Sequence, residues 1–254
     1  MSSIHINFGV ISTNGCLHHL HLSHHFISGR RIIYLDDQLL VDEKQFVDAG
    51  STHEILLTPN QNNQQDIAVF KIVSIRMGTS YRYDLFINDQ MVDKHNAHVA
   101  QKLKIFKIQN SNSDNNNNNV NTNEQSLYVS CLLPEIMQIY ASQTTKMNEQ
   151  SEINVDAYHV SLVSSTIGFG DANDYDFQGV VHDCIVNGNQ SFKLYSDVVQ
   201  DLCYVHINGR DIQEMSFSDY CIEYPEFQKP IATKATKAKS SESSNDTKGP
   251  KSHK

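Results

Sequence analysis

Apolar and polar residues alternate along most of the chain, with the period of two that is typical of β-strands with one face buried. The run RRIIYLDDQLLVDE shows this alternation on both sides of residues 36–37, and YRYDLFINDQMVDK shows it around residues 88–89. A third run, CYVHINGRDIQEM, surrounds the Asn-Gly pair at residues 208–209. Asn and Asp, with or without Gly, favour two-residue turns between antiparallel strands. Each run therefore predicts a β-hairpin.

Helical periodicity is weak by comparison. Only VDEKQFVDAG, residues 41–50, could form a turn or two of helix. The segments FINDQMV and HINGRDI occupy similar positions in the two halves of the chain, which predicts that the second half is a diverged structural copy of the first. The predicted fold class is all-β, with two consecutive antiparallel β-sandwich domains joined by a low-complexity linker.

Two polar segments lack the apolar density that a folded domain needs. One is the Asn-rich stretch at residues 109–126, and the other is the Lys- and Ser-rich stretch at residues 229–254. Both are predicted to be disordered. They divide the chain into an N-terminal β-sandwich domain, residues 1–108, and a C-terminal one, residues 127–228, with the first stretch as linker and the second as tail.

Charge is unevenly distributed along the chain. The whole sequence carries −9, while residues 229–254 hold seven lysines against Glu242 and Asp246, so the remainder carries −14. An acidic body of this kind does not attract nucleic acid. The basic tail could contact RNA, acidic proteins or anionic lipid, but such a segment is more often a solvated end.

The five cysteines are scattered, odd in number and without a CxxC pair, which is typical of reduced thiols in the cytosol. The N-terminal residues lack the basic region and apolar run of a secretory signal. No stretch approaches the roughly 20 apolar residues of a membrane span. We therefore expect a cytoplasmic protein without membrane insertion.

A histidine cluster, HHLHLSHH, occupies residues 18–25. In a strand, His18 and His24 share the face that carries the leucines, whereas His19 and His21 point the other way. A His-x-His pair can bind a metal ion, but it needs a third protein ligand, and the sequence identifies none. The prediction is an exposed polar face rather than a metal site.

The run HHLHLSHHFISGRRIIYLDDQ resembles the first hairpin of the Fas apoptotic inhibitory molecule family. The family's pattern there is His-x-aliphatic-x-Phe/Leu-x-His, followed by Ser-Gly-Lys/Arg-Arg and a hydrophobic strand ending Tyr-x-Asp. YRYDLFIND continues the resemblance, and HDC and INGRDIQE continue it in the second half. The matching positions, expected to serve structure or interaction, are His18, His24, Ser28, Gly29, Arg30, Arg31, Tyr34, Asp36, Tyr81, Tyr83, Asn88, His182, Asp183, Cys184, Arg210 and Glu214.

The chain departs from that pattern in having no tryptophan, and Gln45 stands near where the family has its first one. The resemblance implies a non-enzymatic binding protein that restrains death-receptor signalling in animals and protects against protein aggregation under stress. Its implied partners are misfolded or stress-exposed client proteins or one signalling protein, and homodimer formation is left open. The homopolymeric Asn tract favours the protective role, because it indicates a proteome that tolerates such tracts and in which β-aggregation is a constant hazard.

Catalytic chemistry finds little support in the sequence. His182 and Cys184 share one face of a predicted strand but lie roughly 7 Å apart, too far for an easy thiolate-imidazole contact. The segment GFGDANDYD, residues 168–176, does not have the ligand spacing of an EF-hand. We expect no enzyme activity, no cofactor and no metal. The alternative function is a β-sandwich that binds a sugar or lipid headgroup in a loop-lined cleft, with residues 168–176 at its rim.

Overall fold

A computed structural model describes residues 3–45, 49–57, 66–76, 80–109, 124–133, 138–147, 152–159, 161–169, 178–186, 190–197 and 202–234 of the chain. This part of the chain is mostly β-strand and forms four antiparallel sheets. The predicted all-β fold class is confirmed.

Two sheets form the N-terminal sandwich. Its consecutive strands are β1 (Ser3–Ile11), β2 (Leu17–His25), β3 (Arg30–Leu35), β4 (Gln38–Lys44), β5 (Gly50–Leu56), β6 (Ile67–Arg76), β7 (Ser80–Ile87) and β8 (Gln90–Met91). One sheet has the order β1-β2-β3-β4 with a further strand beside β1, and the other has the order β5-β6-β7-β8. The core between them consists of Ile6, Phe8, Val10, Leu20, Leu22, Ile33, Ile55, Leu57, Ala68, Phe70, Ile72, Leu85, Ile87 and Val92.

The C-terminal sandwich repeats this layered arrangement. Its strands are β9 (Leu103–Gln109), β10 (Glu124–Leu132), β11 (Ile139–Met147), β12 (Glu152–His159), β13 (Ser161–Phe169), β14 (Gln178–Val186), β15 (Gln190–Asp197), β16 (Leu202–Ile207) and β17 (Arg210–Gln213). The sheet orders are β12-β11-β10-β9 and β13-β14-β15-β16-β17. Between them lie Phe106, Ile108, Leu127, Val129, Cys131, Ile139, Ala141, Cys184, Val186, Phe192, Leu194, Cys203, Val205 and Ile207.

A third apolar cluster joins the two sandwiches. It is built around two short helices, α1 (Val92–Val99) and α2 (Phe217–Glu223), and a 3-10 turn at Pro225–Phe227. The residues of this junction core are Ile11, Leu17, Val99, Leu103, Ile105, Tyr128, Tyr220, Cys221, Tyr224 and Phe227. Strands from both sandwiches contribute to it, so apolar burial couples the two halves of the chain.

Asn96 of α1 connects three segments at this junction. Its Oδ1 accepts a hydrogen bond from the Ile11 amide at 2.9 Å. Its Nδ2 donates to the carbonyl of Gly9 at 2.9 Å and to that of Phe227 at 3.1 Å. The side chain is only 2% exposed. One buried amide thus ties α1 to β1 and to the C-terminal segment.

The structure corrects two predicted boundaries. The Asn-rich stretch does not separate two domains, because it joins β9 and β10, which are neighbours in one sheet with Gln109 opposite Ser126. The predicted tail contains a strand, β18 (Ile231–Lys234), that pairs with β1. Composition alone missed this strand because its stability comes from hydrogen bonds to the first strand of the chain. Residues 110–123 and 235–254 lie outside the described residues.

The hairpin predictions are confirmed, whereas the helix prediction is wrong where it can be checked. At residues 36–37, 88–89 and 208–209 both turn residues have positive φ, as a type I′ turn requires. The turns connect β3 to β4, β7 to β8 and β16 to β17. Residues 41–44 belong to β4 rather than to a helical turn, and residues 46–48 lie outside the described part. Within the described residues no helix could cross a membrane.

Candidate functional site

The Arg-Arg pair of the first hairpin fixes the position of strand β4. Arg30 donates from Nε and Nη2 to the two carboxylate oxygens of Asp42, at 2.7 and 2.6 Å. This bidentate pair lowers the pKa of Asp42 through its hydrogen bonds and raises that of Arg30. Arg30 and Asp42 lie on adjacent antiparallel strands near the open end of the hairpin.

Arg31 lies at the centre of a polar cluster that bridges the two sheets. Its side chain is 0% exposed, between His24 on β2 and Glu43 on β4 in the sheet register. Nη1 lies 3.4 Å from Oε1 of Glu43, and the same oxygen lies 3.5 Å from Nε2 of His53 on β5. Burial lowers the pKa of His53 below its usual value; the Glu43 carboxylate opposes this shift and the charge of Arg31 adds to it. These contacts place β4 beside β5 on the same side of the sandwich.

Aromatic side chains close this end of the core. Nδ1 of His24 lies 2.9 Å from the Tyr83 hydroxyl. The His24 ring meets Tyr81 edge to face with centroids 4.7 Å apart, and Tyr81 stacks on Phe26 at 5.6 Å. Such geometries add to the stabilisation that burial provides. The structure therefore brings together four of the motif residues, His24, Arg31, Tyr81 and Tyr83.

Asp36 holds the opposite end of the same hairpin. One carboxylate oxygen lies 2.7 Å from Nδ1 of His18, and the other accepts the His19 amide at 2.8 Å. Burial lowers the pKa of His18, but Cys16 and the Asp36 carboxylate outweigh it, so the net shift is well upward. Tyr34 lies beside the ring of His21, with centroids 6.0 Å apart.

The Ser28-Gly29 step shapes the turn between β2 and β3. Gly29 has φ +61°, and a Cβ at this position would lie 1.9 Å from the carbonyl oxygen of Gln45. Only glycine fits both the backbone conformation and the space. The Ser28 hydroxyl accepts a hydrogen bond from the Arg30 amide at 3.3 Å. These two motif positions are therefore structural.

Asn88 anchors the β7–β8 turn to the rest of the sandwich. Its Nδ2 donates to Asp66 at 2.8 Å, and its Oδ1 accepts the Ile67 amide at 3.0 Å. Asp66 is buried and also accepts hydrogen bonds from the amide and hydroxyl of Thr13, at 2.6 and 2.8 Å. The turn residue thus locks two loops together.

The motif positions of the second half lie in the other sandwich, apart from the first cluster. Cys184 Sγ contacts the His182 carbonyl oxygen at 3.5 Å, and burial raises the pKa of this thiol to about 12. Burial lowers the pKa of His182. A raised thiol pKa is the opposite of what activates a nucleophilic cysteine.

Two of the three remaining motif residues of the second half, Asp183 and Glu214, lie beside a lysine of opposite charge. Asp183 lies 3.9 Å from Nζ of Lys193. Glu214 forms an ion pair of 2.9 Å with Lys104 of β9, while Arg210 is exposed at the start of β17. No chemistry follows from these contacts. Of the proposed cleft rim at residues 168–176, residues 170–176 lie outside the described part.

The exposed face predicted for the histidines is wrong for His19. Its side chain is only 16% exposed, because Tyr224 and Phe227 pack against the ring with centroid distances of 5.4 and 5.1 Å. Its Nδ1 lies 3.1 Å from Oε1 of Glu226. The covering segment lies some two hundred residues away in sequence, where no local pattern could indicate it. His21 is half-buried, with Nδ1 2.5 Å from the Asn7 side chain. Among the residues the structure describes, no group of three metal-ligating side chains assembles.

Strands β4 and β5 are the terminal strands of their sheets, and large apolar side chains lie exposed along them. Leu56 is 57% exposed, and Ile67, opposite it on β6, is 39% exposed. The pairing of β3 with β4 shifts in register between Ile33 and Tyr34, so Leu40 has no partner on β3. As a result Leu39 and Leu40, at 51% and 40%, are both exposed despite being consecutive. We name these four exposed residues the edge patch.

Within the described residues, strand β5 lacks several of the features that protect a sheet edge from pairing with another chain, and Glu54 is its only charged side chain. It carries no Lys and no Pro, and its seven residues pair with β6 without a register shift. Thr52 and Glu54 point to solvent on the same face as Leu56, while His53 and Ile55 point to the core. An open, regular edge can accept one more strand. Sequence reasoning missed this edge because strand order depends on tertiary structure.

No protein-family model, no curated protein and no solved structure matches this chain. Its function is therefore inferred from its own residues and geometry.

Proposed function

We propose that the protein is a non-enzymatic cytoplasmic binding protein that protects other proteins from aggregation by pairing their exposed β-prone segments with strand β5. The observation that carries this proposal is the regular, open β5 edge beside the edge patch. The resemblance to the Fas apoptotic inhibitory molecule family implies protection against aggregation together with restraint of death-receptor signalling, and the Asn tract favours the first of these two roles.

The physical basis is the match between what this edge offers and what an aggregating chain exposes. A partly unfolded protein presents unpaired backbone groups and apolar side chains. An added strand satisfies the backbone groups without regard to client sequence, at a net gain of about 0.5–1.5 kcal/mol per hydrogen bond. Leu56 and Ile67 supply apolar contact at the end of the strand. Binding is then weak, broad and close to stoichiometric.

The proposal assigns pairing to β5 and not to β4. The register shift at Leu40 bends β4 and interrupts its ladder, and Asp42, Glu43 and Lys44 place charges along its second half. Both features disfavour pairing with a further strand. In this proposal β4 contributes Leu39 and Leu40 as apolar contacts and the cluster around Arg31 keeps the two edges together.

A single signalling partner is the other protein-binding role that the resemblance implies. Such a partner would use the same edge, but its affinity would depend on its side chains. Suppression of aggregation for several unrelated clients therefore favours the protective role, and tight binding of one protein favours the signalling role.

The experiment compares two matched substitutions in the full-length protein. Leu56→Lys places a charge on the β5 edge, whereas Ile222→Lys makes an equivalent change on α2, where the side chain is 78% exposed. Light scattering of a heat-destabilised client, mixed with each variant near equal molar ratio and without nucleotide, is the measurement. We expect wild type and I222K to delay aggregation and L56K to lose most of that effect.

Circular dichroism of both variants controls for folding. Equal loss of protection in L56K and I222K would show that the edge is not the binding surface. Failure of the wild-type protein to delay aggregation of any client would overturn the protective role.

A further inference from the structure

A cavity of about 380 Å³ lies where the two sandwiches meet. Its apolar wall is formed by Ile87 at the end of β7, Val99 at the end of α1 and Leu132 at the end of β10. Because both halves of the chain contribute to it, the cavity exists only in the assembled fold. Its volume is within the range of about 300–1,000 Å³ that small-molecule sites occupy.

The walls are held rigid by hydrogen bonds that do not involve the cavity itself. Asp66 fixes Thr13 and Asn88, which line one side. Nε2 of His95 is bonded to the Ile11 carbonyl at 2.8 Å. A ligand would therefore meet a preformed site and would not have to order it on binding.

Basic side chains line the exposed rim of this cavity. His98 and Lys102 project from α1 and from the turn that follows it, both are exposed, and Gln90 lies beside them on β8. Among the described residues, neither His98 nor Lys102 forms an ion pair. Lys102 therefore places a positive charge at the rim, and His98 adds a ring N–H donor beside it.

The acidic side chains near this rim do not line the cavity. Asp66 is buried, and its carboxylate accepts hydrogen bonds from Thr13 and Asn88. Asp93 and Asp89 are exposed and do not line the cavity. A basic rim above an apolar floor suits a molecule that is charged at one end only.

We propose that this cavity binds a small organic anion, with its carboxylate or phosphate group at His98 and Lys102 and a short apolar body against Ile87, Val99 and Leu132. This site is separate from the β5 edge, and it does not depend on the protective function proposed above.

The test is isothermal titration calorimetry of the full-length protein with three probes of similar apolar size: phenyl phosphate, benzoate and benzyl alcohol. We expect at least one anion to bind at least about tenfold more tightly than the alcohol, because a hydrogen bond in which one partner is charged is stronger than one between neutral groups. Whether phenyl phosphate or benzoate binds more tightly identifies the preferred anion. Binding should weaken as salt is raised.

Two variants locate the site. Lys102→Gln removes a rim charge and should weaken anion binding by about fivefold or more, the order of magnitude for one charge-assisted contact. Lys94→Gln is the matched control, because Lys94 is exposed on the same helix but does not line the cavity. Gln90→Trp places a large side chain at the rim and should prevent binding. Equal affinity for the alcohol and the anions, no binding by either anion at millimolar concentration, or equal effects of K102Q and K94Q would each overturn the proposal.

Discussion

Replacing Asn96 by Ala should sharply destabilise the whole protein, because one buried side chain serves three segments. The substitution removes its hydrogen bonds to the Ile11 amide and to the carbonyls of Gly9 and Phe227, at 2.9, 2.9 and 3.1 Å. Each buried backbone group left without a partner costs about 1–3 kcal/mol. Some of that cost is recovered as the site relaxes, so we expect a loss of about 3–5 kcal/mol in unfolding free energy.

Urea denaturation followed by far-UV circular dichroism measures this loss. Gln101→Ala is the control, since Gln101 is exposed just beyond α1 and its substitution should change the unfolding free energy by less than about 0.5 kcal/mol. Because Asn96 lies at the junction core, N96A should lower the midpoint of both halves together. A loss below about 1 kcal/mol, or a transition that splits so that only one half is affected, would refute the view that the junction couples the two sandwiches.

Two further substitutions test local features of the first hairpin. Gly29→Ala should lower the unfolding free energy by at least about 2 kcal/mol, because the new Cβ adds steric overlap to backbone strain. Gly209→Ala should lower it by only about 1 kcal/mol, because Gly209 has φ +73° but nothing lies within 4 Å of the new Cβ. Similar losses for both variants in urea denaturation would contradict the packing argument. The raised folded-state pKa of His18 means that its protonated form stabilises the fold fully below the unfolded pKa of about 6.5, and that this stabilisation is lost as pH rises through the folded pKa. Asp36→Asn should flatten that dependence in urea midpoints measured from pH 5 to 9, and an unchanged slope would show that Asp36 is not its source.

Local sequence determined the strands and the tight turns. The period of two sets which side chains face a core, and this holds for Leu20 and Leu22, which are buried, as it does for Phe70 and Leu85. Residues 208–209 form a type I′ turn because Asn and Gly tolerate positive φ. These properties depend only on neighbouring residues, so a single sequence contains them.

Tertiary structure decided everything that depends on contacts between distant segments. His19 is buried by Phe227, and β18 pairs with β1, although the segments lie at opposite ends of the chain. The Asn-rich stretch falls between two neighbouring strands because β9 joins the second sandwich, and composition does not report sheet membership. The two short helices formed without a strong periodic signal, since packing at the junction stabilises them.

The sequence alone could not predict the candidate binding sites either. Leu39 and Leu40 looked like ordinary members of an alternating strand, and only the register shift against β3 exposes both. The open edge of β5 follows from strand order, and the cavity at the junction follows from how Leu132 of one sandwich meets Ile87 of the other. The physical reason is the same in each case: local propensity specifies a strand, but only packing between distant segments determines which of its edges and faces remain open to a partner.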